Sequence, residues 1–381
     1  MKENKRIWLA SPNMGGSELD YINEAFETNW VAPVGPHIDG FEKEMCEYLS
    51  IKSSVALSCG TAAIHLALIL LGVKTDDEVL CQSFTFSATA NPIAYQGAKP
   101  IFVDSEKETW NMDPVLLEKA INDRVIKVGQ KPKAVIVVHL YGQSAKIDKI
   151  QEICKKYDIP LIEDAAEGLG SSFEGKKLGN FGDIGILSFN GNKIITTSSG
   201  GMMISNNENY ISKARFLATQ ARDDAPHYEH SHIGYNYRMS NILAGIGRGQ
   251  LQILDKRVEQ KREIFKRYSE AFKNIDGIEF QPEIKDSISN KWLTAITIDP
   301  DKTGFTREDI RLELQKHNIE SRPLWKPMHL QPIFKDCISY TNGVSEELFK
   351  IGLCLPSDTN MTKEDQERVI EIIVGNAGMR S

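Results

Sequence analysis

The stretch Leu161 to Gly201, LIEDAAEGLGSSFEGKKLGNFGDIGILSFNGNKIITTSSGG, holds the residues best placed to do chemistry together. An apolar run, Ile159 to Ile162, delivers two carboxylates, Glu163 and Asp164. A second run, Ile184 to Phe189, ends in the turn signal Asn190-Gly191-Asn192, and Lys193 follows at once. An acid ending one buried strand and a lysine in the turn after another suit pyridoxal phosphate chemistry. The amine makes a Schiff base with the cofactor aldehyde, and the carboxylate pairs with the protonated pyridine nitrogen. The plain alternative is a solvated lysine, one of 45 Lys and Arg, beside an acid that caps a helix. The rest of the chain decides between them.

Elements that would position this pair begin at Ser54. SSVALSCG reads as a buried strand and TAAIHLALILLG as a helix apolar on nearly all sides. EVLCQSFTF, KPIFVD, KAVIVVHLYG and IPLIED read as strands, alternating with helices in NPIAYQG, DPVLLEKAIN and KIDKIQEICKKYD. This succession predicts an α/β fold with a mostly parallel central sheet flanked by helices. Ligands of such sheets bind beyond the carboxyl ends of the strands, so Gly60, Phe84, His139 and Asp164 should converge there. Gly60-Thr61 lies where a strand turns into a helix, a phosphate-binding position in which Thr61 adds a donor or caps the helix. Neither common phosphate signature is present: no GxGxxG follows a strand, and GSSFEGKK from Gly170 lacks the closing Ser or Thr. After Lys193, GGMMISN reads as a strand and ENYISKARFLAT as a helix. From about Lys256 the texture changes to a charged helix, the alternating strand KWLTAITID, and helices opened by capping boxes at Thr306/Asp309 and Thr362/Asp365. SRPLWKPMHLQPIF, with prolines 323, 327 and 332, is no regular helix. The division expected is a large domain over 1–250 that binds the cofactor and a smaller α+β domain over 251–381.

Composition bounds the partners. The 381 residues carry a net charge of −7, with 41% hydrophobic and 25% charged residues. The pI near 5.7 and the mean hydropathy of −0.31 give no support to nucleic-acid or anionic-membrane binding. The longest apolar run, Ala62 to Val73, is 12 residues, short of the roughly 20 needed to span a bilayer. MKENKRIWLASP has no apolar core of signal-peptide length. The six cysteines are scattered without CxxC pairs, which suggests reduced thiols, a cytoplasmic location and no metal site. The loop NWVAPVGPHIDGF offers Trp30 and His37 as candidate pocket residues or as ordinary packing.

Taken together, SCGTAAIHLAL, SFTFSATANPI, EDAAEGLGS, SFNGNKIITT, GYNYRMSNI and RPLWKPMHLQPIF resemble, in order and over about residues 8 to 375, the sugar-nucleotide aminotransferases of the DegT/DnrJ/EryC1/StrS family. WVAPVGP, SFNGNK and RPLWKPMHLQP look most like the enzymes that aminate a UDP-linked 4-keto-6-deoxy-N-acetylhexosamine, the bacillosamine branch. The resemblance implies a fold-type I pyridoxal phosphate transferase that works as a homodimer with shared sites. Lys193 matches the Schiff-base lysine, and Asp164 the acid on the ring nitrogen. Gly60, Thr61 and Ser188 match phosphate contacts, and Phe86 the aromatic that stacks on the cofactor ring. Asn236 matches an asparagine lent to the neighbouring subunit's phosphate, accompanied by Arg238. His329 matches the region that approaches the sugar nucleotide. Glu167 stands where many members have glutamine near the cofactor's 3′-oxygen. It is either protonated or turned toward substrate.

The implied reaction moves an amino group from glutamate to C-4 of a nucleotide-linked keto sugar. Lys193 is the base, and it must be neutral when it attacks, which asks for a dry, partly cationic pocket. Members with dehydratase chemistry carry histidine at this position, so lysine favours amino transfer. The competing readings are the same chemistry on a GDP- or dTDP-linked sugar or at C-3, and a regulator that binds the cofactor without turnover.

Overall fold

The strand Ala134–Val138 is buried along its whole length, as a strand covered on both faces must be. Its alternation divides two cores. Val135 and Val137 pack with Phe41, Leu161 and Met202 on one face, and Ala134 and Ile136 with Ile64, Ile162 and Ile186 on the other. The computed structural model that shows this describes residues 5–378, so residues 1–4 and 379–381 of the two expected domains lie outside it.

Eight strands form the central sheet, in the order Ser53–Leu57, Gly201–Ser205, Ile184–Ser188, Leu161–Asp164, Ala134–Val138, Glu78–Gln82, Lys99–Val103 and Ser339–Tyr340. Pairing is parallel from Ile184–Ser188 through to Ser339–Tyr340. Gly201–Ser205 runs antiparallel to both its neighbours, which makes the sheet mixed. A parallel return needs a crossover of a dozen or more residues, usually with a helix. The segment between Ser188 and Gly201 has no helix, and Phe189 N–H bonds back to the Gly200 carbonyl, so the chain doubles back on itself.

Helix Gly60–Leu70 is apolar all round because it is sandwiched: Ala63, Leu66, Ala67 and Leu68 are buried with Ile211, Ala214 and Leu217 of helix Glu208–Ala218. Helix Pro114–Val128 runs longer than DPVLLEKAIN suggests. Asp113 caps its first turn through Val115 N–H at 2.8 Å, and Gly129 ends it with a φ of +76°.

Beyond residue 251, the strands Ile278–Phe280, Thr294–Ile298, Gly352–Leu355 and Arg322–Pro323 form a second, antiparallel sheet. Tyr268 and Phe272 of helix Leu254–Phe272 and Ile310 and Leu314 of helix Arg307–Lys316 pack against Ile296 and Ile298. Ile7 enters this core from the other end of the chain, while Ser339–Tyr340 crosses to the edge of the larger sheet. Both capping boxes form: Asp309 N–H to Thr306 Oγ1 is 3.2 Å, and Asp365 N–H to Thr362 Oγ1 is 3.1 Å. Among the described residues no helix is long and apolar enough to cross a membrane.

Candidate active site

The carboxyl ends of strands Ser53–Leu57, Glu78–Gln82, Ala134–Val138, Leu161–Asp164 and Ile184–Ser188 lead into one cleft of about 280 Å³, bordered by Gly60, Thr89, Asp164, Ser188 and Lys193. A larger groove of about 960 Å³ opens at the opposite, amino ends of the strands, beside Asp77, Lys133 and Leu161. Its size carries little weight, since neither Lys193 nor Asp164 is there.

Asp164 ends its strand with a buried side chain. Its Oδ2 accepts a hydrogen bond from Thr89 Oγ1 at 2.8 Å, and its Oδ1 one from Ala166 N–H at 3.1 Å. Thr85 Oγ1 lies 2.9 Å from Thr89 Oγ1 and extends the network. Burial pushes the Asp164 carboxyl above the ordinary range, against the pull of those bonds and of the Lys193 charge. A buried acid so placed is short of a counter-charge, and a protonated ring nitrogen supplies one.

Lys193 sits in the loop between Phe189 and Gly200, which is closed at its base by Thr197 N–H to the Phe189 carbonyl at 2.9 Å. The expected turn forms, with Lys193 N–H to the Asn190 carbonyl at 3.0 Å. Trp292 fixes its tip: indole Nε1 donates to the Asn192 carbonyl at 2.7 Å, and Lys193 Nζ lies 4.3 Å from the indole centroid. The expectation of a partly cationic pocket is corrected here. Glu167 Oε1 stands 3.7 Å from Nζ, so an acid and an aromatic face surround the amine.

Glu167 turns toward Lys193. Its Oε2 accepts Tyr141 N–H at 2.7 Å, and burial raises its pKa while the Lys193 charge opposes the rise. Tyr141 has a φ of +56°, unusual for a residue with a side chain, and its amide aims at this carboxyl. At Gly142, with a φ of +91°, a Cβ would fall 1.8 Å from Asn290 Oδ1. Asn290 also bonds the carbonyls of Glu167 and Leu169, each at 2.8 Å, and takes Trp292 N–H at 2.8 Å. One buried amide thereby ties the acid's loop to the indole beneath the lysine.

At the other end, helix Gly60–Leu70 points its amino terminus into the cleft. Cys59, not Thr61, is the cap: its Sγ accepts Ala62 N–H at 3.4 Å. The Cys59 carbonyl takes Ala63 N–H, so the amides of Gly60 and Thr61 precede the first helical bonds. Ser188 Oγ stands about one side-chain length away, 3.8 Å from where a Gly60 Cβ would be. Gly201 permits the approach of its strand, since a Cβ there would meet Cys59 carbon at 2.3 Å. Phe86 is 51% exposed and leans on Trp325, with ring centroids 5.3 Å apart, at the cleft's mouth.

The remaining candidates lie elsewhere. Arg238 ion-pairs with buried Glu42, and its Nη1 bonds the Ala56 carbonyl at 3.0 Å, outside the lining of its own chain's cleft. His37 is buried edge-on to Tyr21 at 5.4 Å, a core histidine. Trp30 is half exposed and outside the cleft, its carbonyl bound by Asn241 Nδ2 at 3.1 Å. His329 is pinned outside the cleft lining between Ser83 Oγ at 2.6 Å and Glu346 Oε1 at 3.2 Å. Phe84 and His139 do not converge on the site: Phe84 is core, and His139 Nε2 bonds buried Glu163 at 2.8 Å. Asn236 is exposed, between Tyr235 and Tyr237, whose rings stack at 5.0 Å over His65. Thr89, Tyr141, Asn290, Trp292 and Trp325 have no individual signal in the sequence. Only the polar texture of SFTFSATANPI hinted at Thr89.

A family model matches residues 12–374, the span that holds this buried acid, the lysine and the helix amino terminus. The chain belongs to the DegT/DnrJ/EryC1/StrS aminotransferase family. It is 55% identical to EpsN of Bacillus subtilis (strain 168), named as a pyridoxal phosphate-dependent aminotransferase, over 97% of this chain and 96% of that one. It is 35% identical to the GDP-perosamine synthase of Caulobacter vibrioides (97% and 98% covered). Identity is 37% to the UDP-4-amino-4,6-dideoxy-N-acetyl-beta-L-altrosamine transaminase of Campylobacter jejuni (95% of each). A crystal structure of a family aminotransferase from Brucella abortus superposes with a TM-score of 0.89 at 29% identity, covering 95% of each chain. The fold is the fold-type I aminotransferase fold, and the protein is a sugar aminotransferase that uses pyridoxal phosphate. The residues present fit that cofactor: an acid lacking a counter-charge, a lysine, and two open helix-start amides beside Ser188.

Proposed function

We propose that this enzyme moves an amino group from glutamate to C-4 of UDP-2-acetamido-2,6-dideoxy-hexos-4-ulose, giving a UDP-4-amino sugar for glycan biosynthesis in the cytoplasm. Bound pyridoxal phosphate supplies an electron sink for the substrate's Cα. Asp164 would pair with its protonated ring nitrogen, the Gly60 and Thr61 amides with Ser188 would hold its phosphate, and Phe86 would pack against the ring. Lys193 Nζ removes and returns the proton at the reacting carbon. Glu167, held by Tyr141 N–H and facing Lys193, orients the amine rather than the sugar.

The observation that carries the sugar assignment is the place of RPLWKPMHLQP. The segment whose sequence resembles the UDP-N-acetyl-sugar branch puts Trp325 beside Phe86 at the mouth, where a nucleotide sugar enters. The Campylobacter jejuni relative acts, by its name, on such a sugar. A GDP-linked sugar of the perosamine type is the second reading, favoured by similarity to GDP-perosamine synthases at 34–36% identity. Incubation with glutamate and UDP-, GDP- and dTDP-linked 4-keto sugars, with products read by mass spectrometry and NMR, tests the choice. The UDP-linked N-acetyl sugar should have the highest kcat/KM, and a higher value for the GDP-linked ketone would overturn the branch.

The homodimer with shared sites rests on Asn236. Side chains alternate along an extended segment, and Tyr235 and Tyr237 face inward to His65, so Asn236 faces away from its own subunit. Nearby Ile233, 84% exposed, and Tyr228, 79% exposed, are apolar surface for a second copy to cover.

A further inference from the structure

Tyr141 holds an uncommon backbone. Its φ of +56° lies in the left-handed region, where glycine is at ease and a side chain is disfavoured. A residue stays there only when its surroundings fix it from several sides, and such residues gather where a protein handles a ligand. Here the Tyr141 amide donates to Glu167 Oε2 at 2.7 Å, the ring is buried, and Gly142 after it leaves no room for a Cβ against Asn290.

The side chain reaches the segment that follows the edge strand Arg322–Pro323. Its hydroxyl accepts Trp325 N–H at 3.0 Å, with the buried Cys354 thiol as a neighbour. Burial drives the pKa of this hydroxyl well up, so it stays a neutral acceptor for that amide. Its ring lies nearly parallel to the Trp325 indole, at 6.3 Å and 13°, and to Trp292, at 6.4 Å and 18°. On either side the chain is tied by Leu324 N–H to the Gly352 carbonyl at 3.3 Å and by Met328 N–H to the Ser83 carbonyl at 2.8 Å. Between those ties, Pro327 has no N–H to give, and the Tyr141 hydroxyl holds the backbone. The Trp325 indole Nε1 has no hydrogen-bond partner among the described residues. Its ring is therefore set by packing, on Tyr141 and on Phe86 at 5.3 Å. Trp325 lines the cleft and Tyr141 does not.

We propose that Tyr141 is a positioning residue for the keto-sugar nucleotide. Its hydroxyl holds the Trp325 backbone and its ring the Trp325 indole, which together set the mouth that the sugar must occupy. The inference rests on the reading that the nucleotide sugar enters between Phe86 and Trp325. The bond from the Tyr141 amide to Glu167 is a backbone bond, so a change of side chain leaves it in place and isolates the hydroxyl.

Wild type, Tyr141→Phe, Trp325→Ala and the double variant, loaded with cofactor, test it. Tyr141→Phe keeps the ring and the amide and loses only the hydroxyl. The KM for the nucleotide 4-keto sugar that wild type accepts should rise about fivefold or more, as an unpaired buried N–H implies. The rate at which the amino donor converts the bound cofactor, followed by absorbance without sugar, should stay within twofold. Trp325→Ala should raise the same KM, and adding Tyr141→Phe to it should raise it less than twofold further, because the two residues act in one path. Hydrogen exchange read by mass spectrometry on the cofactor-free protein is independent of turnover, and amides of residues 322–328 should exchange faster in Tyr141→Phe. An unchanged KM in Tyr141→Phe beside a raised one in Trp325→Ala overturns the proposal and leaves the entry reading standing. No change in either variant strikes the entry reading, and the proposal falls with it. Equal slowing of the donor step, additive effects in the double variant or unchanged exchange also overturn the proposal, since Tyr141 would then act on the fold at large or leave Trp325 to other groups.

Discussion

Replacing Asp164 with Asn should separate what this side chain does for catalysis from what it does for stability. Its two oxygens have different partners: Oδ1 accepts Ala166 N–H, and Oδ2 accepts the Thr89 hydroxyl. Asn keeps an oxygen for Ala166 and turns an amide toward Thr89 Oγ1, which accepts it and donates its own proton to Thr85 Oγ1 instead. The fold is therefore preserved. What disappears is the carboxylate charge proposed to pair with the ring nitrogen. Removing a preorganised partner of this kind costs about 3 to 4 kcal/mol, or roughly 100- to 1,000-fold in kcat at about 1.36 kcal/mol per decade. Stability moves the other way. Burial raises the Asp164 pKa in the folded, cofactor-free protein. The folded state then holds its proton more tightly than the unfolded chain, so stability falls as pH rises from the unfolded value, near 3.9, through the folded one. Asn, which carries no charge at any pH, removes that penalty. Cofactor-free Asp164→Asn should melt at or above the wild-type temperature at pH 7, while the loaded variant loses at least 100-fold in kcat. Circular-dichroism melts and a coupled turnover assay measure the two. A catalytic loss below tenfold, or a melting point several degrees lower, would refute the reasoning.

Lys193→Ala should abolish turnover and leave the melting temperature near wild type, because among the described residues the amine is engaged by Glu167 at 3.7 Å and by the Trp292 face; near-normal turnover would remove Lys193 from its role. Arg238→Ala should act on stability rather than on sugar-nucleotide KM, costing about 3 kcal/mol, because Glu42 keeps Arg215 at 2.8 Å but loses its buried partner. Denaturant titration reads this, and a KM effect at unchanged stability would contradict it. Lys193→Ala and Asn236→Ala, unfolded together and refolded, should recover roughly a quarter of wild-type activity, since about half the dimers would be mixed and each would carry one intact site. Activity that stays at the average of the two single variants, with mixed dimers shown to have formed, would mean that Asn236 serves its own subunit.

The chain's local patterns determined a good deal without any tertiary information. Alternation and apolar runs located the strands that end at Gly60, Asp164 and Ser188, and the Asn-Gly-Asn turn located Lys193, because these signals depend only on near neighbours along the chain. The two capping boxes were legible for the same reason. Tertiary structure decided the rest. Trp292 lies under Lys193 from a hundred residues away in sequence, and Asn290 ties that indole to the Glu167 loop, a pairing that no local period encodes. Thr89 becomes the partner of Asp164 only once strands Glu78–Gln82 and Leu161–Asp164 have paired on either side of Ala134–Val138. His37 reads as a pocket candidate by type, but burial set its ring edge-on to Tyr21 in the body of the protein, and a side chain so engaged is withdrawn from the cleft. The antiparallel strand Gly201–Ser205 likewise reads as any other strand. Its direction follows from the helix-free loop before it, so how the chain closed, not which residues formed the strand, set the shape of the site.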